Sequence, residues 1–534
     1  MPSTFAGLAL LAPAGLLLAA LLPLDSPSLR PKRRLSLTRL ATVTSFVLAV
    51  LAVARTAILG ATTSPLIGVA GIGLSIRLDA ISCSMFLLVA FVGVIVVQYS
   101  RNYMDGDARQ GEFMGGLCLT LAAVMLLVLA GNLTQLVAAW LATSLSLHRL
   151  LVFYPERRQA RIAARKKFIV ARVGDVCVIG ASATLVVAFG STDIATVLMR
   201  AHALAPGAAP AALQVAALLI GMAAMLKSAQ FPSHGWLPEV MDTPTPVSAL
   251  LHAGIINAGG FLMIRFADVM LLSAPVLHFI AVVGGFTALF GGVVMLTQTS
   301  VKGSLAWSTV AQMGFMTFQC GLGAFAIALL HLVTHSLYKA HAFLSSGSVV
   351  EVATATTYSK PRLLPVMASL ILALGLYAAI GWAFGVLTGD HVALLTLGAI
   401  LVLGLSMLVL PSMHGVVRVR LVGRMLLAAG AAATAYFVLE NAAVRMTAST
   451  LPSIPTPDAA GLLIMGLAVV SFAAVTLLQS LAPQWIHRPA WRVARVHLAN
   501  GLYVNACFNR LLGTQHRDDR VTSSNRVARR IHAR

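Results

Sequence analysis

The chain has 534 residues, of which 58% are hydrophobic and only 10% charged, with a mean hydropathy of +0.88. A soluble globular domain carries roughly 25% charged residues, so this composition excludes an ordinary water-soluble enzyme and specifies an integral membrane protein. The net charge of +21 does not mark a nucleic-acid binder, because the basic residues gather in short clusters between hydrophobic stretches.

Along the chain, about fifteen stretches are apolar enough to cross a bilayer as helices of roughly 20 residues: 5–23, 38–60, 80–100, 113–131, 134–154, 167–190, 211–237, 246–270, 275–297, 304–321, 324–349, 365–387, 389–410, 424–444 and 460–482. The first is followed by Pro23-Leu24-Asp25 rather than a small-residue cleavage site, so it is expected to remain as a span. Leu74 to Asp79 alternates apolar and polar, which suggests a short hairpin outside the membrane, and Leu204 to Pro210 reads as a connector. With the N-terminus outside, the clusters Arg30 to Arg34, Arg157 to Lys167, Lys302, Lys360 with Arg362, and Arg418 to Arg424 all fall in the cytoplasm, as the positive-inside rule expects. So does the basic tail beyond Pro483, which is either a partner-docking segment or a plain solvated one. The five cysteines show no paired spacing, and no dinucleotide fingerprint or P-loop is present, so no cofactor or metal is expected in this chain.

Charges inside spans are the informative departures. Lys227 ends an otherwise apolar run and is followed by Pro232, Pro238 and the turn-rich Asp242-Thr243-Pro244-Thr245-Pro246. A charge at the bilayer centre costs roughly 3 kcal/mol or more, and a broken helix beside a wet cavity is where membrane proteins place one. Two readings stand: a lysine that snorkels to the interface, or a buried one that releases and regains a proton. Asp175 is the counter-ion expected for Lys227 or for Arg172, as a structural or a conducting pair. His331, His335 and Lys339 recur every fourth residue, so they share one helix face over about 12 Å of rise, with Thr334 and Ser336 adding hydroxyls. That is the arrangement of a proton wire. Two histidines at this spacing are also half a zinc site, though no HExxH glutamate or third ligand accompanies them, and packing histidines are the plain alternative. His252 closes Pro246-Val247-Ser248-Ala249-Leu250-Leu251-His252 and is placed to link the two halves of the chain. Together these features point to a proton- or cation-conducting membrane subunit.

Several motifs carry a family resemblance. Lys227 to Pro232, Trp236-Leu237-Pro238-Glu239 and Thr243 to Ala253 resemble the signature of the antiporter-like family, which includes the complex I proton-pumping subunit (NADH-quinone oxidoreductase subunit L) and the Mrp cation/proton antiporter subunits. Phe168 to Asp175, His331 to Ala340, Leu78 to Ser82 and Tyr99 to Met104 match it too. The resemblance covers about residues 70–350. It implies an all-α membrane fold with two inverted five-helix repeats and discontinuous helices. The corresponding divisions are 1–110, 111–272 and 273–412 for the two repeats, 413–482, and a basic tail at 483–534. By the same resemblance, Lys227, His252, His331, His335 and Lys339 form a hydrated polar axis.

The sequence departs from the complex I pattern at two places. Trp140 is followed by Leu141 where that family has a glutamate, and 365–387 contains no charge. Ser144 to Arg157 and Leu251 to Phe261 instead look like the membrane subunits of bacterial inorganic-carbon accumulation systems, the DabB type. That resemblance implies a location in the bacterial inner membrane and a DabA-like partner resembling a zinc carbonic anhydrase. The partner would hold the zinc and hydrate CO2, while this chain passes protons or another cation through Lys227, Asp175, His252, His331, His335 and Lys339. A proton-pumping subunit of a complex I-like assembly, or an Mrp-type antiporter subunit, is the alternative. His391 beside Asp390 is a candidate substitute for the missing charge of the twelfth span, and Glu440 lies in a span without an assigned partner.

Overall fold

The computed structural model describes residues 6–22, 31–204, 209–347, 363–385, 392–413, 419–485 and 488–511. They form an all-helical bundle whose helices are α1 Leu8–Leu21, α2 Lys32–Leu59, α3 Ala80–Tyr103, α4 Gln110–Val128, α5 Leu133–Leu151, α6 Arg158–Phe189, the short α7 Ile194–His202, α8 Ala211–Lys227, α9 Thr245–Arg265, α10 Ala274–Met295, α11 Val301–Gly321, α12 Phe325–Leu344, α13 Leu363–Ala383, α14 Val392–Met413, α15 Val419–Thr447, α16 Ala459–Trp485, α17 Pro489–Ala499 and α18 Val504–Leu511. Among the described residues, ten of these are long and apolar enough to cross a membrane, and α1 and α8 are shorter apolar helices. Each expected span coincides at least in part with a helix. Helix α6 begins nine residues before the expected 167, because the basic stretch from Arg158 has good helix formers and no breaker. Asp390, His391 and the tail after Leu511 lie outside the described residues.

Helix ends follow local chemistry. Asp79, Asn132, Asp193 and Ser300 cap α3, α5, α7 and α11 by accepting from the backbone N–H three residues on. Between α2 and α3 the expected hairpin is present as two small antiparallel pairings, Thr62–Thr63 with Arg77–Leu78 and Ile67–Val69 with Ile72–Leu74. The end of the bundle carrying these strands also carries Asp79 and Arg265, both buried. Arg265 donates two hydrogen bonds to the Asp79 carboxylate, at 2.5 and 3.1 Å, and Arg77 adds a third contact at 2.7 Å.

Two helices are broken where proline and small residues interrupt them. Helix α8 stops at Lys227, since Ala229 takes a left-handed φ of 51° and Pro232 lacks an N–H. Its expected continuation to 237 is instead a 3-10 turn and a one-turn helix at Trp236–Glu239. Helix α9 is α-helical over Thr245–Leu250, widens into a π-helical turn at Leu251–Ile255, and resumes at Ala258–Arg265. By contrast, α10 and α11 pack backbone to backbone. A Cβ at Gly284 would stand 2.5 Å from the Phe318 nitrogen, and one at Gly314 would stand 2.5 Å from that of Ala288. Small residues allow this approach, as membrane helices that lack a hydrophobic driving force require.

Candidate functional site: a buried polar line

The broken ends of α8 and α9 meet at the centre of the bundle, and Lys227, Asp175, His252, His331, His335 and Lys339 lie along the resulting seam. Lys227 is buried. Its Nζ donates to Thr143 Oγ1 at 3.2 Å and sits 4.5 Å from the centre of the Trp140 ring. Asp175 pairs with Arg172, one turn away on α6, at 2.7 Å. The Trp140 side chain is also within hydrogen-bonding reach of the Asp175 carboxylate. Of the two counter-ion roles expected for Asp175, the direct contact goes to Arg172, with Lys227 within electrostatic reach.

One member of this cluster was not singled out from the sequence. Lys167 is 4% exposed, and its Nζ donates to the Ser144 carbonyl at 2.8 Å and to Ser144 Oγ at 3.2 Å. It closes the run Arg157 to Lys167, which reads as a topology signal. The α6 helix extends that run into the bundle, so its last lysine faces inward. Lys167 and Lys227 line one cavity together with Trp140, Ala171, Gly174 and Trp236. About 20 Å³ of it is open to water centres, which is room for a water molecule.

The π-turn of α9 connects this cavity to the second half. Leu251, Ile255 and Ile256 form its far wall. Ser228, next to Lys227, donates to the Ile256 carbonyl at 3.1 Å, and Asn257 donates to Ser336 Oγ at 2.6 Å. π-bulges of this kind free backbone carbonyls and recur at functional sites. His252 lies on the turn, fully buried, with Nδ1 2.9 Å from Thr309 Oγ1 and its ring stacked on Phe343 at 4.4 Å. Lys339 is also fully buried and donates to the Leu305 carbonyl at 2.9 Å and to Ser308 Oγ. His335 is within electrostatic reach of His252, His331 and Lys339. The His331 and His335 rings are 6.2 Å apart. Each His331 ring nitrogen has a glutamine amide oxygen at 2.8 Å, Gln319 at Nδ1 and Gln312 at Nε2. Because an amide can present either its oxygen or its NH2 group, these two glutamines can serve both the neutral and the protonated ring.

Among the described residues, several buried polar atoms along this seam have no protein hydrogen-bond partner: Trp236 Nε1, His252 Nε2, Asn257 Oδ1 and His335 Nε2. Each unpaired buried group costs about 1–3 kcal/mol, so these four are sites where a bridging water or a transferred proton would be held. Glu440, a further charge inside a span, lies apart on α15 with Tyr436 and Tyr377 as neighbours. Among the described residues, no group of three or more His, Cys, Asp or Glu side chains could hold a metal ion.

A multi-pass helical bundle with two broken helices and an internal line of lysines and histidines defines an antiporter-like membrane subunit. Residues 130–381 match the family model described as NADH:quinone oxidoreductase/Mrp antiporter, transmembrane. Residues 67–114 match that of the complex I chain 5 N-terminus. The chain is 37% identical over 521 residues to the probable inorganic carbon transporter subunit DabB2 of Halothiobacillus neapolitanus, covering 95% of this chain and 93% of that protein. It is 46% identical over 277 residues to the corresponding DabB of Hydrogenovibrio crunogenus, about half of each chain (52% and 53%). A solved Mrp complex from a Dietzia species has the same fold, with a TM-score of 0.67 at 24% identity, covering 99% of this chain and 61% of that one. The chain belongs to the DabB family of inorganic-carbon transporter subunits.

Proposed function

We propose that this chain is the cation-conducting membrane subunit of an energy-coupled inorganic-carbon accumulation complex, with the proton as the conducted ion. The observation that carries the reading is the seam itself, in which Lys227, His252, His335 and Lys339 are buried in one band with unpaired polar atoms between them. The relationship to subunits named for inorganic carbon transport, over nearly the full chain, supplies the cargo. In this reading protons travel between the Lys227–Asp175 half and the His331–His335–Lys339 half through His252 and the opened turn of α9. A zinc carbonic-anhydrase-like partner, of the DabA kind, would hydrate CO2 to bicarbonate and a proton on its own metal. Directional transfer of that proton makes the hydration effectively one-way. The complex would sit in the inner membrane, with the end carrying the Arg157 to Lys167 cluster in the cytoplasm, following the distribution of basic residues.

The test is accumulation of labelled inorganic carbon in carbonic-anhydrase-deficient cells expressing the chain with its gene neighbour, with and without a protonophore. Uptake that needs both proteins and collapses with the gradient is the expected result. Lys227→Ala should abolish it while the complex still assembles. Uptake insensitive to the protonophore, or unchanged in Lys227→Ala, would refute the reading. The complex I-like and Mrp alternatives share the matched domain. They predict quinone- or sodium-linked flux with no carbon uptake.

A further inference from the structure

Resting on this reading of the seam, we propose that Lys167 is a second proton-carrying amine of the first half, exchanging a proton with Lys227 across the cavity that both line. Among the described residues, three bases stand here, Lys167, Lys227 and Arg172, against one carboxylate, Asp175, whose direct contact is with Arg172. His148 is also within electrostatic reach of Lys167. Two full lysine charges in so dry a space would repel each other with no second anion to offset them, and unpaired buried charge is the costliest arrangement a protein interior can hold. One proton shared between two amines avoids that cost. Each amine has its own neutral hydrogen-bond partners ready, Ser144 for Lys167 and Thr143 for Lys227, both on α5. The cavity that both line has room for a water molecule that can carry the proton between them. In the transfer an N–H bond of the Lys167 ammonium breaks as the lone pair of the Lys227 amine takes a proton through that water. The total charge is unchanged.

The arrangement also accounts for Leu141. Where the complex I pattern has a carboxylate beside Trp140, this chain has none, and a second amine reaches the same helix one turn later at Ser144. Toward the basic end the next side chain, Lys166, is paired with Glu239 at 2.6 Å. Glu239 is partly exposed, so Lys167 stands between Lys227 and the aqueous face that carries the basic clusters.

The test is potential-driven proton flux into vesicles holding the purified complex and a trapped pH dye, comparing wild type with Lys167→Arg and Lys167→Gln. Arginine keeps the charge and the donors to Ser144 but does not release a proton. Glutamine keeps one donor without charge. A proton carrier predicts at least tenfold loss of flux in both variants, with unchanged assembly and unfolding temperature. A merely structural tie between α6 and α5 predicts that arginine preserves flux. Flux retained in either folded variant overturns the proposal while leaving the carbon-uptake reading standing. Absence of flux in the wild-type complex overturns it together with the conducting role. Flux lost in both variants supports it even if labelled carbon is not taken up.

Discussion

Removing Arg265 should unfold the end of the bundle away from the basic clusters more than any change on the seam. Arg265 lies at the end of α9 and Asp79 caps α3, 186 residues earlier, and both are buried. Two guanidinium hydrogen bonds to the carboxylate and one to Ser82 Oγ hold the helices together, while Ser82 N–H donates to Asp79 from within α3. Breaking a buried pair by deleting one partner costs about 3–5 kcal/mol, because the other charge stays buried. Arg77 still contacts Asp79 after the deletion, so Arg265→Leu should fall at the low end, about 3 kcal/mol, or on the order of 100-fold in the folding equilibrium. Burial pushes the Asp79 carboxyl up, but the Arg265 charge and hydrogen bonds, then Arg77 and the Ser82 N–H, outweigh it and hold the group well below the usual carboxylate range. A carboxylate whose folded value is depressed contributes stability that is present above its ordinary value near 3.8 and is lost as pH falls through the lower one. The pair therefore contributes no slope to stability between pH 8 and 5. The assay is unfolding of the detergent-purified protein in Arg265→Leu, Asp79→Asn and the double variant. Recovery of at least half the loss in the double variant is expected, since it removes both charges. A single-variant loss below about 1 kcal/mol, or no recovery in the double, would refute the reasoning.

The packing of α10 on α11 makes Gly314→Leu a separator. With the Ala288 nitrogen 2.5 Å from the built Cβ, overpacking should cost about 1–3 kcal/mol or more and lower the unfolding temperature, whereas Gly292→Ala, with nothing within 4 Å, should leave it within error. Gly235→Ala places a Cβ 1.9 Å from Asn505 Oδ1. It should release α18 from the Lys166–Glu239 pair, read as faster proteolysis after residue 488 with the bundle intact. Gln312→Leu with Gln319→Leu removes both His331 partners and should reduce carbon uptake at least fivefold without blocking assembly. Unchanged uptake would remove His331 from the path.

Much of the fold was legible because each structural break is written in residues with a local cause. The prolines after Lys227 mark a break that falls at 227 rather than 237, and the four-residue spacing from His331 to Lys339 sets those residues on one helix. Lys167 was not legible, because a lysine at the end of a basic run looks solvated until the length of α6 is known. Only the three-dimensional register turns it inward, onto Ser144. The last helices, α17 and α18, were missed for a related reason. Their composition is polar enough to read as a tail, yet Asn505 and Asn509 find Glu239 at 2.6 and 3.3 Å, contacts separated by more than 260 residues of chain. Long-range polar pairing leaves no periodic trace in sequence.

The chemistry of the seam also bears on which ion it passes. A hard cation such as sodium is held by oxygen ligands, carboxylates foremost. Between Lys227 and His331 the described side chains that line the path are instead nitrogen bases: Lys227, His252, His335, Lys339 and His331, with neutral hydroxyls and amides as partners. Asp175, the carboxylate among the residues placed on the seam, is in direct contact with a guanidinium. A sodium ion arriving here would meet competing positive charge and few anionic ligands, whereas a proton would meet a series of bases, with hydroxyl, carbonyl or amide oxygens beside Lys227, His252, His331 and Lys339. That asymmetry argues for protons, and it makes a distinct forecast: carbon uptake should follow an imposed pH gradient in sodium-free medium and should not follow an imposed sodium gradient at constant pH.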